Sequence, residues 1–266
     1  IMGILRTFAL GGIHPAENKL SSNAPIETLP VPKQAIIPLG QNLGAPSKAI
    51  VKKGDEVKVG QLLAEAGGFI STNIHSPVSG KVFKIDNAID GSGYKRPCII
   101  INVEGDIWDE SIDTSPDIIS EIVLSPKEII EKIKNSGIVG LGGATFPTYV
   151  KLMPPPGKTA EFLIINGVEC EPYLTSDHRM MLEKGQEIII GTRILMEALN
   201  VKKAFIGIEN NKPDAIRHMT ELAKAYDGIE IQALKVQYPQ GGEKQLIKAS
   251  VNREVPSGKL PIEVGC

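Results

Sequence analysis

The spacing of apolar residues changes near Ser125, and no other feature of the chain constrains its fold so strongly. Before that point, β-rich runs at 35–39, 48–51, 61–64, 81–85 and 98–103 are separated by turn sequences such as Lys53-Gly54-Asp55 and Asp90-Gly91-Ser92-Gly93. After it, helical and strand-like segments alternate. Residues 126–136 are helical in pattern, with Ser125 as N-cap and Gly137 as the stop. Strands at 162–165, 203–208 and 229–236 then alternate with helices at 185–199, at 213–226 and from Glu243 onward. Such alternation predicts a parallel sheet with crossover helices, so the fold class is α/β behind an N-terminal β domain. The expected domains are 1–124, 125–250 and, beginning a further β domain, 251–266.

A glycine-rich segment, IVGLGGATFPTYVKL at 138–152, lies between the first helix and the first strand of the alternating part. Gly140, Gly142 and Gly143 are free to take positive φ and to turn their N–H groups inward, which makes a nest for an anion. A helix opening after the loop would add its partial positive charge, Lys151 a full one, and Phe146 a flat face for a planar ring. Alone, the glycine pattern favours a turn needed only for close packing.

Two further segments shift that balance. The apolar run 162–165 leads into NGVECEPY, where Asn166, Glu169 and Glu171 follow a strand end, the usual ligand edge of an open α/β sheet. In an extended backbone, Glu169 and Glu171 would point the same way, towards ribose or ribityl hydroxyls. After the last strand comes YPQGGEKQLI, with Tyr238, Gly241 and Glu243, read either as a second ligand-facing loop or as a plain helix entry.

Together with GGIHP at 11–15, GLGGATFPT at 140–148, NGVECEPYLTSDHRMMLE at 166–183 and REVPSGKLP at 253–261, these segments resemble the C-subunit family of the Rnf electron-transport complex. More distantly they resemble the flavin-bearing subunit of respiratory complex I. The resemblance covers nearly the whole chain. It implies an FMN site at Gly140, Gly142, Gly143, Ala144, Lys151, Asn166, Glu169, Tyr238, Gly241 and Glu243, and NADH contacts from Phe146 and Glu171. It also implies a Rossmann-like FMN/NADH-binding domain. The stretch from Val51 to Val82 is similar to the barrel-sandwich fold of biotinyl and lipoyl domains, but its hairpin tip, 68–75, has no lysine to modify. That module is read as a docking or covering element.

Two positions depart from the complex I pattern: Leu141 stands where an arginine is expected, and Val168 where an aspartate is. Those departures favour the competing reading, a flavin-free docking or scaffold subunit. Cys170 is read as a small buried hydrophobe.

Composition excludes other classes. A net charge of −2 does not favour nucleic acid as a partner. Three distant cysteines make neither a disulfide framework nor a cluster site, and His14, His75, His178 and His218 fall in no metal-ligand spacing, which leaves structural or surface roles. Lys244, beside Glu243, is a phosphate contact or a surface ion pair. No apolar run reaches the length of about 20 residues needed to cross a bilayer.

The expectation is therefore an NAD(H)-linked oxidoreductase subunit of a membrane-bound, ion-translocating ferredoxin:NAD oxidoreductase. It would sit peripherally on the cytoplasmic side of the inner membrane, attached through the other membrane subunits of the Rnf complex. FMN and NAD(H) are its expected ligands. In the family the 4Fe-4S cluster ligands follow later in the chain, and the cysteine motifs that would supply them are absent here, so a truncated fragment is expected. Hydride transfer from NADH to the flavin needs no side-chain acid or base.

Overall fold

The computed structural model describes residues 5–266, which pack into two compact units, each assembled from separate stretches of chain. A β unit comprises Thr28–Asp117 and Lys127–Met153. An α/β unit comprises residues 5–27, Ile118–Pro126 and Pro154–Cys266.

The β unit holds β1 (Gln34–Pro38), β2 (Lys48–Ala49), β3 (Glu56–Val57), β4 (Leu62–Glu65), β5 (Ile74–His75), β6 (Gly80–Ile89) and β7 (Lys95–Val103). They form two antiparallel sheets, ordered β1-β7-β6-β3 and β2-β4-β5. Alternation decides which side chains turn inward: Ala35 and Ile37 from β1, Val82 from β6, Ile99 and Ile101 from β7. Leu63, Ala64 and Ile74 from the other sheet complete one shared core, the arrangement of a barrel sandwich. Two strands absent from the sequence reading, β3 and β5, have two residues each, too few to display a period of two.

The same unit includes α1 (Pro126–Asn135) from Lys127 onward and a single helical turn, α2 (Thr148–Lys151). Gly137, at φ +68, ends α1 where a Cβ would lie 2.3 Å from the Asn73 carbonyl oxygen, so only glycine fits. At the lysine-free hairpin tip, the Phe69 carbonyl accepts the Tyr149 hydroxyl, and the two rings meet edge-on at 6.2 Å.

The α/β unit runs β8 (Leu163–Asn166), α3 (Ser176–Glu183), α4 (Gly185–Leu199), β9 (Ala204–Glu209), α5 (Pro213–Ala223), β10 (Ile229–Leu234) and α6 (Glu243–Val251). Its three strands are parallel in the order β10-β9-β8, as the alternating pattern predicts. On one face Ile206 and Ile208 of the fully buried β9 meet Met181, Ile189, Ala215 and Met219 from α3, α4 and α5. On the other, Leu234 packs with Leu246 and Ala249 of α6 and with Val168. Helix α3 is absent from the sequence reading; at eight residues and largely polar, its sequence carries little periodicity.

Gly207 of β9 sits under close neighbours from β10 and α6. A Cβ there would lie 2.9 Å from both Leu234 Cδ1 and Leu246 Cδ1. Gly207→Ala is expected to cost about 1–3 kcal/mol through overpacking. A urea denaturation curve with an unshifted midpoint would show that the contact yields freely.

The N-terminal segment belongs to this unit because its backbone pairs with it. Arg6 bridges in parallel to Leu234, and Ile13 bridges antiparallel to Tyr238. Among the described residues no helix is long and apolar enough to cross a membrane.

Candidate functional site

The glycine loop is a closed excursion of the β unit. Val139 bridges Pro147, the Gly140 N–H donates to the Phe146 carbonyl at 3.1 Å, and the Thr148 N–H to the Ile138 carbonyl at 3.0 Å. Leu141, Gly142, Gly143 and Ala144 form its exposed tip, and Leu141 is 86% exposed.

The positive φ expected at Gly140, Gly142 and Gly143 is not found; Thr145, at φ +50, makes the left-handed turn instead. Nor, among the described residues, does any atom beyond the immediate chain neighbours lie within 4 Å of a Cβ built on Gly142 or Gly143. Neither their own conformation nor local packing within the chain requires these two glycines. The helix dipole expected behind the loop is also reduced, since α2 has four residues. Lys151 is exposed, with its Nζ 3.7 Å from a Cβ built on Gly140, and it has no hydrogen-bond or ion-pair partner among the described residues. Phe146 is half-buried.

In the α/β unit the other predicted residues gather at the carboxyl ends of the parallel strands. Asn166, at the end of β8, donates through Nδ2 to the Gly241 carbonyl at 2.8 Å and accepts the Val168 N–H at 3.3 Å. The Gly241 N–H donates to Cys170 Sγ at 3.4 Å. The turn after β8 and the turn after β10 are thus stitched together, with Tyr238 and Glu243 exposed beside the seam. Burial pushes the Cys170 thiol up, so it stays protonated at neutral pH and acts as packing. Lys244 donates to the Pro256 carbonyl at 3.2 Å, which makes it a local tether.

Glu169 and Glu171 do not point the same way. Glu169 adopts φ +55, which breaks the extended alternation and swings its carboxylate onto the start of α3. There it accepts the Asp177 N–H at 2.7 Å, the His178 N–H at 3.3 Å and the Ser176 hydroxyl at 3.3 Å. A carboxylate on free helix N–H groups is a charge-assisted cap. Glu171 stays exposed. Glu169→Ala is accordingly expected to cost about 1–2 kcal/mol of stability from the lost cap, read as a lowered thermal midpoint.

Three groups at this edge were not anticipated from the sequence. Glu209, at the end of β9, and Lys212, at the start of α5, are 0% and 2% exposed and lie 3.4 Å apart. The Lys212 ammonium also donates to the Val168 carbonyl at 2.8 Å and to Asn211 Oδ1 at 3.1 Å. Burial raises Glu209 and lowers Lys212, each towards its neutral form, with their mutual attraction opposing both shifts. Lys19 is the third, and its ammonium donates to three backbone carbonyls of the acidic turn. The i,i+3 spacing of Glu209 and Lys212 across a strand end is a signal, though a faint one; Lys19 has none. His178 is buried and pairs with Asp214 at 2.9 Å, a structural role. Among the described residues no group of three or more His, Cys, Asp or Glu side chains could hold a metal ion.

Two family models match the chain, with limits that differ from those of the two compact units. Residues 7–106 match the family model described as the RnfC barrel sandwich hybrid domain, and residues 133–266 match the Nuo51 FMN-binding domain. The C-subunit of the proton-translocating ferredoxin:NAD(+) oxidoreductase complex of Clostridium ljungdahlii is 48% identical over 98% of this chain and 57% of its own length. The C-subunit of the Na(+)-translocating complex of Acetobacterium woodii is 42% identical over 96% of this chain and 57% of its own. The chain therefore spans a little over half the length of these relatives. A crystal structure of an NAD+-reducing NiFe hydrogenase in the H2-reduced state is 25% identical over 47% of this chain and 24% of its own, with a TM-score of 0.40. Since the second family model covers just over half of the 266 residues, the chain belongs to the family of the Nuo51 FMN-binding domain, carried here behind a barrel-sandwich hybrid domain of the RnfC type.

Proposed function

We propose that the chain is the flavin- and nicotinamide-binding part of the C-subunit of an ion-translocating ferredoxin:NAD oxidoreductase. In this reading residues 125–250 carry FMN and NADH, and residues 251–266 begin a further β domain. Electrons pass between NADH, FMN and 4Fe-4S clusters borne elsewhere in the longer protein. Attachment to the cytoplasmic face of the membrane comes through partner subunits. The names and lengths of the relatives support this assignment.

The observation that carries the flavin reading is the pair Gly142 and Gly143. Glycine costs more conformational entropy than any other residue, and here neither a left-handed backbone nor a close neighbour in the chain requires it. Close approach of a ligand to the loop backbone does. Lys151 beside the loop, without a hydrogen-bond or ion-pair partner among the described residues, fits the phosphate of such a ligand. When bound, FMN supplies the hydride acceptor for NADH. In this assignment Gly140, Gly142, Gly143, Ala144 and Lys151 hold the phosphate side. Asn166, Glu169, Tyr238, Gly241 and Glu243 shape the flavin side, with Glu169 acting through the backbone it braces. Phe146 and Glu171 meet the nicotinamide nucleotide.

A flavin-free scaffold is the second reading. It is favoured by Leu141, which presents an exposed apolar side chain at the loop tip, and by Val168, which is packed in the core. FMN titration followed by flavin fluorescence separates the two. The flavin reading expects saturable binding, weakened about tenfold by Lys151→Ala, the loss of one charge-assisted contact to phosphate. Absence of binding by the unaltered protein would leave the scaffold.

A further inference from the structure

The segment at residues 6–22 contains GGIHP, a motif to which the flavin assignment gives no task. Its contacts are concentrated on the two turns that the assignment uses. The Ile13 N–H donates to the Tyr238 carbonyl and the Tyr238 N–H to the Ile13 carbonyl, each at 2.9 Å. Gln237 Nε2 donates to the Gly11 carbonyl, and the Thr7 hydroxyl to Gln240 Oε1 at 2.8 Å. Gly12, at φ +87, passes so close to Gln237 that a Cβ would lie 2.5 Å from its Nε2. This end of the segment fixes the turn after β10.

The other end fixes the turn after β8. The Tyr173 N–H donates to the Glu17 carbonyl at 2.9 Å, and the Ser21 and Thr175 hydroxyls pair at 2.7 Å. Lys19 Nζ donates to the carbonyls of Glu169 at 2.9 Å, Glu171 at 2.8 Å and Leu174 at 2.7 Å. An ammonium has three protons, and all three are spent on this turn. The turn needs such a brace. Glu169 at φ +55 and Tyr173 at φ +66 are both left-handed without being glycine, a conformation that persists only where the surroundings enforce it.

We propose that residues 6–22 form a strap that sets the geometry of both turns, with Lys19 as a positioning residue whose ammonium holds the Glu169–Glu171 backbone for the flavin and nicotinamide nucleotide. The cofactor half of this proposal rests on the flavin reading above; the bracing half does not. Lys19 donates only to backbone carbonyls within the turn, so its contribution is to geometry rather than to chemistry.

The test uses Lys19→Met, which keeps the aliphatic stem and removes all three donors, and Lys19→Gln, which retains shorter donors and serves should the first variant fail to fold. Hydrogen–deuterium exchange of the ligand-free protein is expected to speed up about tenfold at the amides of residues 169–175 in Lys19→Met. The amides of α4 and β9 should be unchanged. FMN affinity should weaken by a similar factor, with Lys19→Gln intermediate on both readouts. Unchanged exchange at 169–175 would overturn the strap, whether or not flavin binds. Faster exchange with undiminished FMN affinity would overturn the positioning role. Should the unaltered protein bind no FMN, the flavin reading and the positioning role fall together, and the exchange result alone decides the bracing role.

Discussion

Lys212→Met is expected to destabilise the α/β unit by about 3–5 kcal/mol, because it strands the buried Glu209 carboxylate without its counter-charge. Glu209 would keep only the Gln237 N–H, at 3.4 Å. The lost ammonium also frees the Val168 carbonyl, which lies at the turn entering the predicted site. Adding Glu209→Gln removes the orphaned charge and should recover much of the loss, so the two changes are non-additive. The penalty carries a pH signature. Burial already raises the Glu209 carboxyl, and removing Lys212 raises it further. A carboxyl whose folded pKa lies above its unfolded one favours folding most when protonated, below the unfolded value, and that contribution is lost as pH rises through the folded value. The deficit of Lys212→Met relative to the unaltered protein should therefore shrink as the pH is lowered from 7 towards 5. Urea denaturation at several pH values measures it, and a pH-independent deficit would mean that Glu209 is not the stranded group.

The largest expected effect on binding comes from the double variant Gly142→Ala, Gly143→Ala. Neither glycine is left-handed, and among the described residues no atom beyond the immediate chain neighbours lies within 4 Å of either new methyl. Stability should be unchanged or raised by about 0.4–1 kcal/mol for each site, since alanine narrows the unfolded ensemble. FMN affinity should fall by about two orders of magnitude, the scale of the 1–3 kcal/mol cost of forcing methyl groups into a close contact. Opposite signs on the two readouts distinguish a ligand cradle from a structural turn. A variant that loses stability and keeps its affinity would return the loop to ordinary packing.

Much of the architecture was legible in the sequence wherever a periodic pattern had room to repeat. Helix α4 has the limits its apolar spacing predicts, and the order of the parallel strands follows from the alternation of elements. What escaped was short or non-local. Strands β3 and β5 are too brief for a pattern, and α3 takes its N-terminal cap from Glu169, seven or more residues earlier in the chain. Pairing of the N-terminal segment with β10 joins residues more than two hundred positions apart, which no local signal encodes.

At the site, residue types were easier to read than their directions. Asn166 and Gly241 were singled out separately, and the fold joins them. The sequence pattern points to Glu169 as a ligand contact, whereas a left-handed backbone turns its carboxylate into a helix cap. Positive φ falls on Thr145 rather than on the loop glycines, so backbone conformation does not account for them, and Gly142 and Gly143 face open space. Lys19 could not be anticipated, because its three acceptors are main-chain carbonyls about 150 residues away.

A flavin- and nicotinamide-binding chain takes up FMN in a form that NADH reduces. Stopped-flow mixing of the FMN-loaded chain with NADH under anaerobic conditions tests it most directly. The expected result is saturable bleaching of the visible flavin band, weakened in apparent NADH affinity by Glu171→Gln and requiring about a hundredfold more FMN for loading in the Gly142→Ala, Gly143→Ala variant. A flavin band that NADH leaves unbleached, or a protein that takes up no FMN, would contradict it.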